Sequence, residues 1–354
     1  MSANMQSLLL RRIRKGIGVL TASLLMSVLL AMPSRGQTKQ PVIVYVALSV
    51  DSLNEVKTEL ERDNPDIDIR WVYANSGILT ARLLAERSNP VADVIWGVSV
   101  ASIELFDRLG MLEPHSPKGL ENVKPTFRDP RTPPHWVGNY VYSSAICFNT
   151  DEGRKRGLPA PKGWQDLANE AYAGQITMGN PNSTGTGLLM VAAWLQLFGE
   201  AGGWEFMEKL HKNIAVYTTS GSKPCTYAAT GEFSIGLAIE GRASEMMEKG
   251  APIEPIFPRE GLGWDIDTSA IIKKGGDMQA ARRVLDWSIS PRAGAIYARI
   301  SSIVALNFEY PKPPGIPRDI EERLIENDLE WVSRNRDRIL SEWRRRFESK
   351  SEKQ

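Results

Sequence analysis

Gln175-Ile176-Thr177-Met178-Gly179-Asn180-Pro181-Asn182-Ser183-Thr184-Gly185-Thr186-Gly187 passes from a short β-like run into an almost wholly apolar helix expected over Leu188 to Phe198. A strand feeding a helix through Asn, Ser, Thr and Gly is the joint from which α/β proteins are built. Such a turn gathers free backbone N–H groups, three hydroxyls and the positive end of a helix at one point, which is a seat for an oxyanion. Glycines let the backbone approach a ligand closely, and Asn, Ser and Thr favour caps over helix interiors. The same residues also make an ordinary N-cap in a tight turn. No Lys-Ser/Thr pair follows the glycines, so this is not a Walker loop.

Outward from that joint the chain repeats β then α. Toward the N-terminus, Val42 to Leu48 reads as a strand, and Asp51 can cap a helix with apolar positions Leu53, Val56 and Leu60. Ile67 to Tyr73 is the next strand, Asn75-Ser76-Gly77 opens a helix, Ala92 to Trp96 is a third strand, and Ala101 to Leu109 a third helix closed by Gly110. Residues 113 to 136, rich in Pro and charge, read as a long surface connection. Asn139 to Phe148 is a strand, and the pattern then restarts through Gln175–Met178, Ile214–Thr218, Phe233–Ile239 and Ile253–Phe257. Ser269 to Ile272 is a further strand, with helices near Asp277–Ser288 and Pro291–Arg299. Alternation of this kind implies a mostly parallel sheet with helices on both faces.

The expected division is a lobe of residues 37–143 and 264–310, a second α/β lobe of residues 144–263 inserted in it with hinge crossings at both ends, and a C-terminal helical segment, 311–354. In the last, Asp319 to Phe347 reads as one charged amphipathic helix with Ile320, Leu324, Leu329, Val332, Leu340 and Trp343 facing inward, a clasp on the body. Ligands of open α/β sheets bind outside the carboxyl ends of the strands. The small-polar turns Ala47–Ser49, Asn75–Gly77, Trp96–Ser99, Asn180–Gly187 and Ser220–Ser222 all fall there. Two lobes with such turns facing each other make a cleft that can close on a ligand.

The N-terminus reads as an export signal. Arg11, Arg12, Arg14 and Lys15 precede an uncharged run from Gly16 to Met32, and Ser34-Arg35-Gly36 offers a cleavage point before Gln37. The alternative is an uncleaved anchor, against which the run is near the lower length limit for a spanning helix. Residues 1–36 are therefore expected to be a signal peptide and the mature chain periplasmic. The whole chain has 43 basic and 42 acidic side chains. Five of the basic ones precede Gln37, which leaves 38 against 42, a net charge of −4 and no broad cationic face for nucleic acid. Cys147 and Cys225 are the two cysteines; an oxidising compartment permits a bridge, but sequence does not bring their Cα atoms together.

Several motifs carry a family resemblance: Asn180-Pro181-x-Ser183-x-Gly185-Thr186-Gly187, Thr219-Ser220-Gly221-Ser222-Lys223-Pro224-Cys225 and Gly231-Glu232-Phe233-x-Ile235-Gly236. Phe257-Pro258-x-Glu260-Gly261-Leu262-Gly263-Trp264-Asp265 and Leu324-Ile325-x-Asn327-Asp328-x-x-Trp331 extend it through nearly the whole mature chain. In these the chain resembles the extracytoplasmic solute-binding proteins of ABC transporters, and among them the 2-aminoethylphosphonate-binding periplasmic proteins, relatives of the ferric-iron-binding group. The resemblance implies a type II two-lobed periplasmic binding protein fold, a cleft that closes on one small molecule, and a closed form that docks on an inner-membrane permease. It implies a monomer without cofactor, resident metal or catalytic residues.

2-Aminoethylphosphonate needs several donors for its anionic end and a carboxylate or aromatic face for its ammonium. Ser183, Thr184, Gly185 and Thr186 are the leading donors. Charge-assisted hydrogen bonds contribute ~1.5–3 kcal/mol each, so three or four supply most of a micromolar affinity. Ser220 and Ser222 form a second hydroxyl pair, with capping as the alternative. Ser76 and Gly77, beside Asn75, are the opposing lobe's contacts, or else a plain strand-to-helix turn. Glu240 and Asp265 are the carboxylates for the amine; the first could instead sit in an ion pair with Arg242 or Arg259, the second could steady the hinge. Trp264 and Trp96 offer π faces or plain core.

Ferric iron and phosphate or phosphate esters are the alternative ligands. Iron would call for neighbouring tyrosines with carboxylate or His, whereas Tyr140 and Tyr142 are not adjacent and His115, His135 and His211 read as surface residues. An exported hydrolase is the remote alternative, since neither a Gly-x-Ser-x-Gly elbow nor a His-Glu-x-x-His is present.

Overall fold

Val42-Ile43-Val44-Tyr45-Val46 is β-branched or aromatic throughout, suits a pleated buried surface, and forms most of strand β1, Gln40–Val46. The computed structural model describes residues 39–48 and 50–353, the side chain of Asp51 excepted. The expected signal peptide, its cleavage point, Ser49 of the first turn and the capping role of Asp51 lie outside what is described. The strands that follow are β2 Ile67–Tyr73, β3 Val94–Ser99, β4 Leu112–Glu113, β5 Val137–Asn149, β6 Ile176–Gly179, β7 Ile214–Thr218, β8 Ile235–Ile239, β9 Ile253–Ile256, β10 Trp264–Ile272 and β11 Ile303–Val304. Their main order is β2-β1-β3-β10-β5-β8-β6-β7.

Strand β5 decides the layout. All thirteen of its residues are buried. From Val137 to Ser143 it runs antiparallel to β10, and from Ser144 to Asn149 antiparallel to β8 and β9. The outer pairs on one side, β1 with β2 and with β3, are parallel; so are β6 with β7 and with β8 on the other. The result is a two-lobed α/β protein of the type II periplasmic binding protein class, with parallel flanks and an antiparallel centre. Sequence alternation anticipated the flanks; the centre came out antiparallel because β5 pairs in the opposite sense with β10 along its first half and with β8 and β9 along its second.

Helices cover the sheets by the expected logic. Leu53, Val56 and Leu60 are buried on the helix Val50–Asp63. The helix Gly185–Leu197 is buried without a break from Gly187 to Leu195, so its sequence is apolar on every face. The C-terminal segment departs from expectation. Ile320–Arg323 is a single 3-10 turn, Leu324 to Asp328 is non-helical, and the α-helix is Leu329–Phe347. Two things stop a continuous helix. Leu262 N–H donates to the Arg323 carbonyl and Ile325 N–H to that of Leu262, which pulls the backbone straight, and the Asp328 side chain accepts from Trp331 N–H (2.8 Å) to start a new helix. Ile320, Val332, Leu340 and Trp343 are buried, while Leu324 and Leu329 are only half-buried. Cys147 of β5 is disulfide-bonded to Cys225 on the helix Lys223–Thr230, with Cα atoms 5.4 Å apart.

Candidate ligand-binding site

The Asn180–Gly187 turn owes its shape to side chains that fold back on it. Thr184 Oγ1 donates to the Asn180 carbonyl (2.9 Å) and accepts from Gly187 N–H (3.0 Å), so this hydroxyl is spent as an N-cap. Gly187 sits where a Cβ would lie 2.4 Å from the Gly179 carbonyl oxygen and 2.7 Å from Pro181 N, which no side chain tolerates. The first N–H groups of a helix have no intrahelical acceptor. With that of Gly187 taken by the cap, those of Gly185 and Thr186 remain at the cavity wall.

That cavity measures about 420 Å³ and lies between the lobes, within the ~300–1,000 Å³ usual for small-molecule sites. Ser76, Thr184, Gly185, Thr186, Ser220, Gly221 and Ser222 line it together. A Cβ on Gly185 would stand 3.4 Å from the Tyr142 hydroxyl and 3.6 Å from Ser76 Cβ, so three separate elements converge there. Ser222 makes no capping bond to its own helix; its hydroxyl lies 3.2 Å from that of Ser220, and both line the cavity. Helices start at Val50, Ser76, Gly185, Lys223 and Glu240 around this one space. The positive ends of their dipoles favour an anion there, beside the lining guanidiniums of Arg242 and Arg299.

The floor and far wall carry groups that sequence reasoning did not select. Tyr140 and Tyr142, two apart on β5, point to the same side by the period of a strand, and both line the cavity with Asp267. Asp267 is nearly fully buried, accepts from Asn139 Nδ2 (2.8 Å) and faces the Tyr140 hydroxyl. Burial pushes its carboxyl up to about 7, the nearby Asp265 adding to the shift. Arg242, Glu245 and Arg299 complete the wall. Arg242 is paired with Glu245 (2.6 Å) and donates to Thr226 Oγ1 (2.9 Å); Arg299 is paired with Glu55. Tyr73 and Val50 stand at the mouth, both exposed. The spacing Tyr140-x-Tyr142 and the alternation Asp265-x-Asp267 were visible in sequence, but nothing there said which face of each strand met the cleft.

The remaining candidates lie off the cavity. Ser183 is buried and its hydroxyl turns back to the Asn180 carbonyl (3.4 Å). Gly77 packs against the other lobe instead of lining the cavity: a Cβ there would be 2.8 Å from the Asn182 carbonyl oxygen. Glu240 is fully buried and does not reach the cavity. It accepts from Ser143 N–H (2.7 Å) and Ser302 Oγ (3.1 Å), tying β5 to the segment before β11, and burial raises its pKa. Asp265 accepts from Ser99 Oγ (2.5 Å) and Val100 N–H (3.1 Å), fastening β10 to the start of the helix Val100–Arg108, and burial pushes it up to about 6. Trp264 donates Nε1–H to the Ile325 carbonyl (2.8 Å). Trp96 is core, packed between the tilted rings of Trp71 and Trp287. His115 and His135 face Asp286 and Asp107. His211 is not on the open surface but lies against the Tyr217 and Phe347 rings. Among the described residues, no group of three or more His, Cys, Asp or Glu is placed to hold a metal ion.

A family model described as bacterial extracellular solute-binding protein matches residues 89–332. An uncharacterized protein of Haemophilus influenzae is 30% identical over 278 residues, 77% of this chain and 80% of that one. A probable ABC transporter periplasmic-binding protein of Sinorhizobium fredii is 25% identical over 271 residues, 75% of this chain and 74% of its own length. The periplasmic binding protein AfuA of Actinobacillus pleuropneumoniae, solved with fructose-6-phosphate bound, superposes with a TM-score of 0.81 at 25% identity, covering 88% of this chain and 99% of that one.

Proposed function

The chain belongs to the bacterial extracellular solute-binding proteins, and from that premise we propose that it captures 2-aminoethylphosphonate, or a closely related organophosphonate, in the periplasm for an ABC importer. The observation that carries this reading is the meeting of two hydroxyl turns, Gly185–Thr186 and Ser220–Ser222, with Ser76 of the opposing lobe, on one cavity ringed by helix starts. Main-chain N–H groups and hydroxyls in a cleft that excludes water suit a phosphonate oxyanion. The ammonium falls to Asp267 with Tyr140, or to Glu245, instead of to Glu240 and Asp265, whose oxygens are held elsewhere in the protein. A buried carboxyl facing a cation becomes ionised on binding, so Asp267 is suited to reward a positively charged ligand end.

The lobes of this reading are residues 37–143 with 264–310, and residues 144–263. The change of strand partner at Ser143–Ser144, and the start of β10 at Trp264, support those limits. Closure shifts an open–closed equilibrium, and the closed form is the one presented to an inner-membrane permease.

A second reading is a phosphorylated sugar. The cavity's volume, its two arginines and the fructose-6-phosphate carried by AfuA favour it. Ferric iron would draw on Tyr140 and Tyr142 beside Asp267, but burial holds both phenols well above their ordinary pKa, which opposes the phenolate form that iron takes. Calorimetric titration with 2-aminoethylphosphonate, ethylphosphonate, phosphate, fructose-6-phosphate and ferric citrate separates these. Micromolar binding of the first, with ethylphosphonate at least ~100-fold weaker, means the ammonium contributes near ~2.7 kcal/mol. Silence with both phosphonates and a clear signal from fructose-6-phosphate would replace the ligand and leave the family.

A further inference from the structure

The Ser220–Ser222 turn is held from within by Thr218 Oγ1 donating to the Ser220 carbonyl (2.7 Å) and by the contact between the Ser220 and Ser222 hydroxyls (3.2 Å), and the Ser222 side chain caps nothing. The turn's two ends are fastened from outside. Glu352 accepts from Thr219 N–H (2.9 Å) and from Thr219 Oγ1 (3.0 Å) with one carboxylate oxygen, and pairs with Lys223 through the other. One side chain thus brackets the turn, gripping the residue before Ser220 and the residue after Ser222. The adjacent Ser351 accepts from Asn180 Nδ2 (2.9 Å) at the start of the other ligand turn. Glu352 N–H donates to the Tyr217 carbonyl (2.9 Å), which seats the segment on the edge of β7. Glu352 itself does not line the cavity.

Thr219 has a second role. Its carbonyl accepts from Asn75 Nδ2 (2.7 Å), and Asn75 belongs to the opposing lobe and borders the cavity. Glu352 therefore holds the acceptor of a lobe-to-lobe hydrogen bond in place. The helix Leu329–Phe347 that delivers Glu352 is itself fastened to the first lobe, where Arg108 donates to Ser333 Oγ (2.8 Å) and Ser333 Oγ to the Ala101 carbonyl (2.9 Å).

We infer that Ser351–Glu352 is a clamp, with Glu352 a positioning residue that shapes both anion-binding turns from behind and presents Thr219 to Asn75 when the lobes meet. The inference rests on the reading that the two turns hold the ligand's oxyanion. Its sign makes it testable. A carboxylate near an anion site opposes the anion by simple Coulomb repulsion, so removing it should tighten binding unless its structural role outweighs its charge. A pre-organised site loses affinity when its supporting contacts go.

The experiment compares wild type, Glu352→Ala, Glu352→Gln, Asn75→Ala and the double variant Glu352→Ala/Asn75→Ala. Titration uses 2-aminoethylphosphonate and fructose-6-phosphate, and hydrogen–deuterium exchange is followed on the ligand-free proteins. The clamp requires Glu352→Ala to bind roughly tenfold more weakly, Glu352→Gln to fall between, and the Asn75→Ala loss to shrink in the Glu352→Ala background. It also requires faster exchange confined to residues 180–187 and 219–223, with the melting temperature little changed. Unchanged or tighter binding, additive losses, or unaltered exchange in both turns would overturn it. Were wild type to bind neither probe, the ligand reading would fail, and the exchange measurement would still decide the clamp. Should Glu352→Ala fold poorly, Ser351→Ala, which removes the hydroxyl that accepts from Asn180, tests the same clamp through residues 180–187.

Discussion

Residues of one chemical type take opposite roles here, and the hydrogen-bond partners decide which. Thr184 and Ser222 both stand at the start of a helix. Thr184 spends its hydroxyl on Gly187 N–H and the Asn180 carbonyl, whereas Ser222 caps nothing and opens on the cavity. The acids divide in the same way. Glu240 and Asp265 bind backbone N–H groups of crossing segments, while Asp267, two residues from Asp265 on the same strand face, reaches the cavity. Burial raises all three, Asp267 to about 7 and Asp265 to about 6. A carboxyl whose folded pKa lies above its unfolded value near ~3.9 binds more protons when folded. Its stabilisation is full below pH ~4 and is lost as pH rises through about 7. The melting temperature of the ligand-free protein should therefore fall between about pH 4 and about pH 7, and Asp267→Asn should flatten that fall. A wild-type profile that is level, or rises, across that window would refute the assignment. Neither the spent hydroxyl nor the cavity-facing acid was legible in sequence, because both depend on which neighbours a side chain meets.

At the scale of elements, helix starts and one strand organise the site. Five helices begin at or beside the cavity, and β5 changes partner from β10 to β8 at Ser143–Ser144. The first turn of the helix Ser76–Ala85 lies directly against the Asn180–Gly187 turn, which is why position 77 is glycine: a methyl there would meet the backbone of Asn182 and Ser183 at 2.8–2.9 Å. Gly77→Ala should leave each lobe intact and hold the two apart. Overpacking of this kind costs ~1–3 kcal/mol, which at ~1.4 kcal/mol per decade means about five- to a hundredfold weaker ligand binding. Titration beside a circular-dichroism melt checks this; affinity equal to wild type would show that the contact plays no part in closure. Most strands and helices were legible as alternation and periodicity. The run from Asp319 to Phe347 was not, because its amphipathic pattern carries no sign of the backbone bonds to Leu262 that straighten residues 324 to 328.

Over the whole molecule, the disulfide links points 78 residues apart, joining the crossing strand to the helix behind Ser222. A bridge closing a loop of that length restricts the unfolded chain and contributes about 2–4 kcal/mol. The double variant Cys147→Ser/Cys225→Ser should lower the denaturant midpoint by a corresponding amount while keeping ligand affinity within about threefold, since neither sulfur lines the cavity. An unchanged midpoint would show that the bridge adds nothing to stability. The bridge, the clamp at Glu352 and the Asn75–Thr219 bond all connect segments remote in sequence, and together they set how the two hydroxyl turns face Ser76.

The alternation of β-branched runs with capped amphipathic helices determined the α/β class and the position of the hydroxyl turns at strand ends, because those are local properties of short stretches of chain. Which hydroxyls remain free, which of Glu240, Asp265 and Asp267 meets the cavity, and how Cys147 finds Cys225 were decided only by tertiary structure. Each of those outcomes depends on strand faces and chain crossings that bring together residues tens to hundreds of positions apart, and a side chain's chemistry is set by the neighbours it meets there.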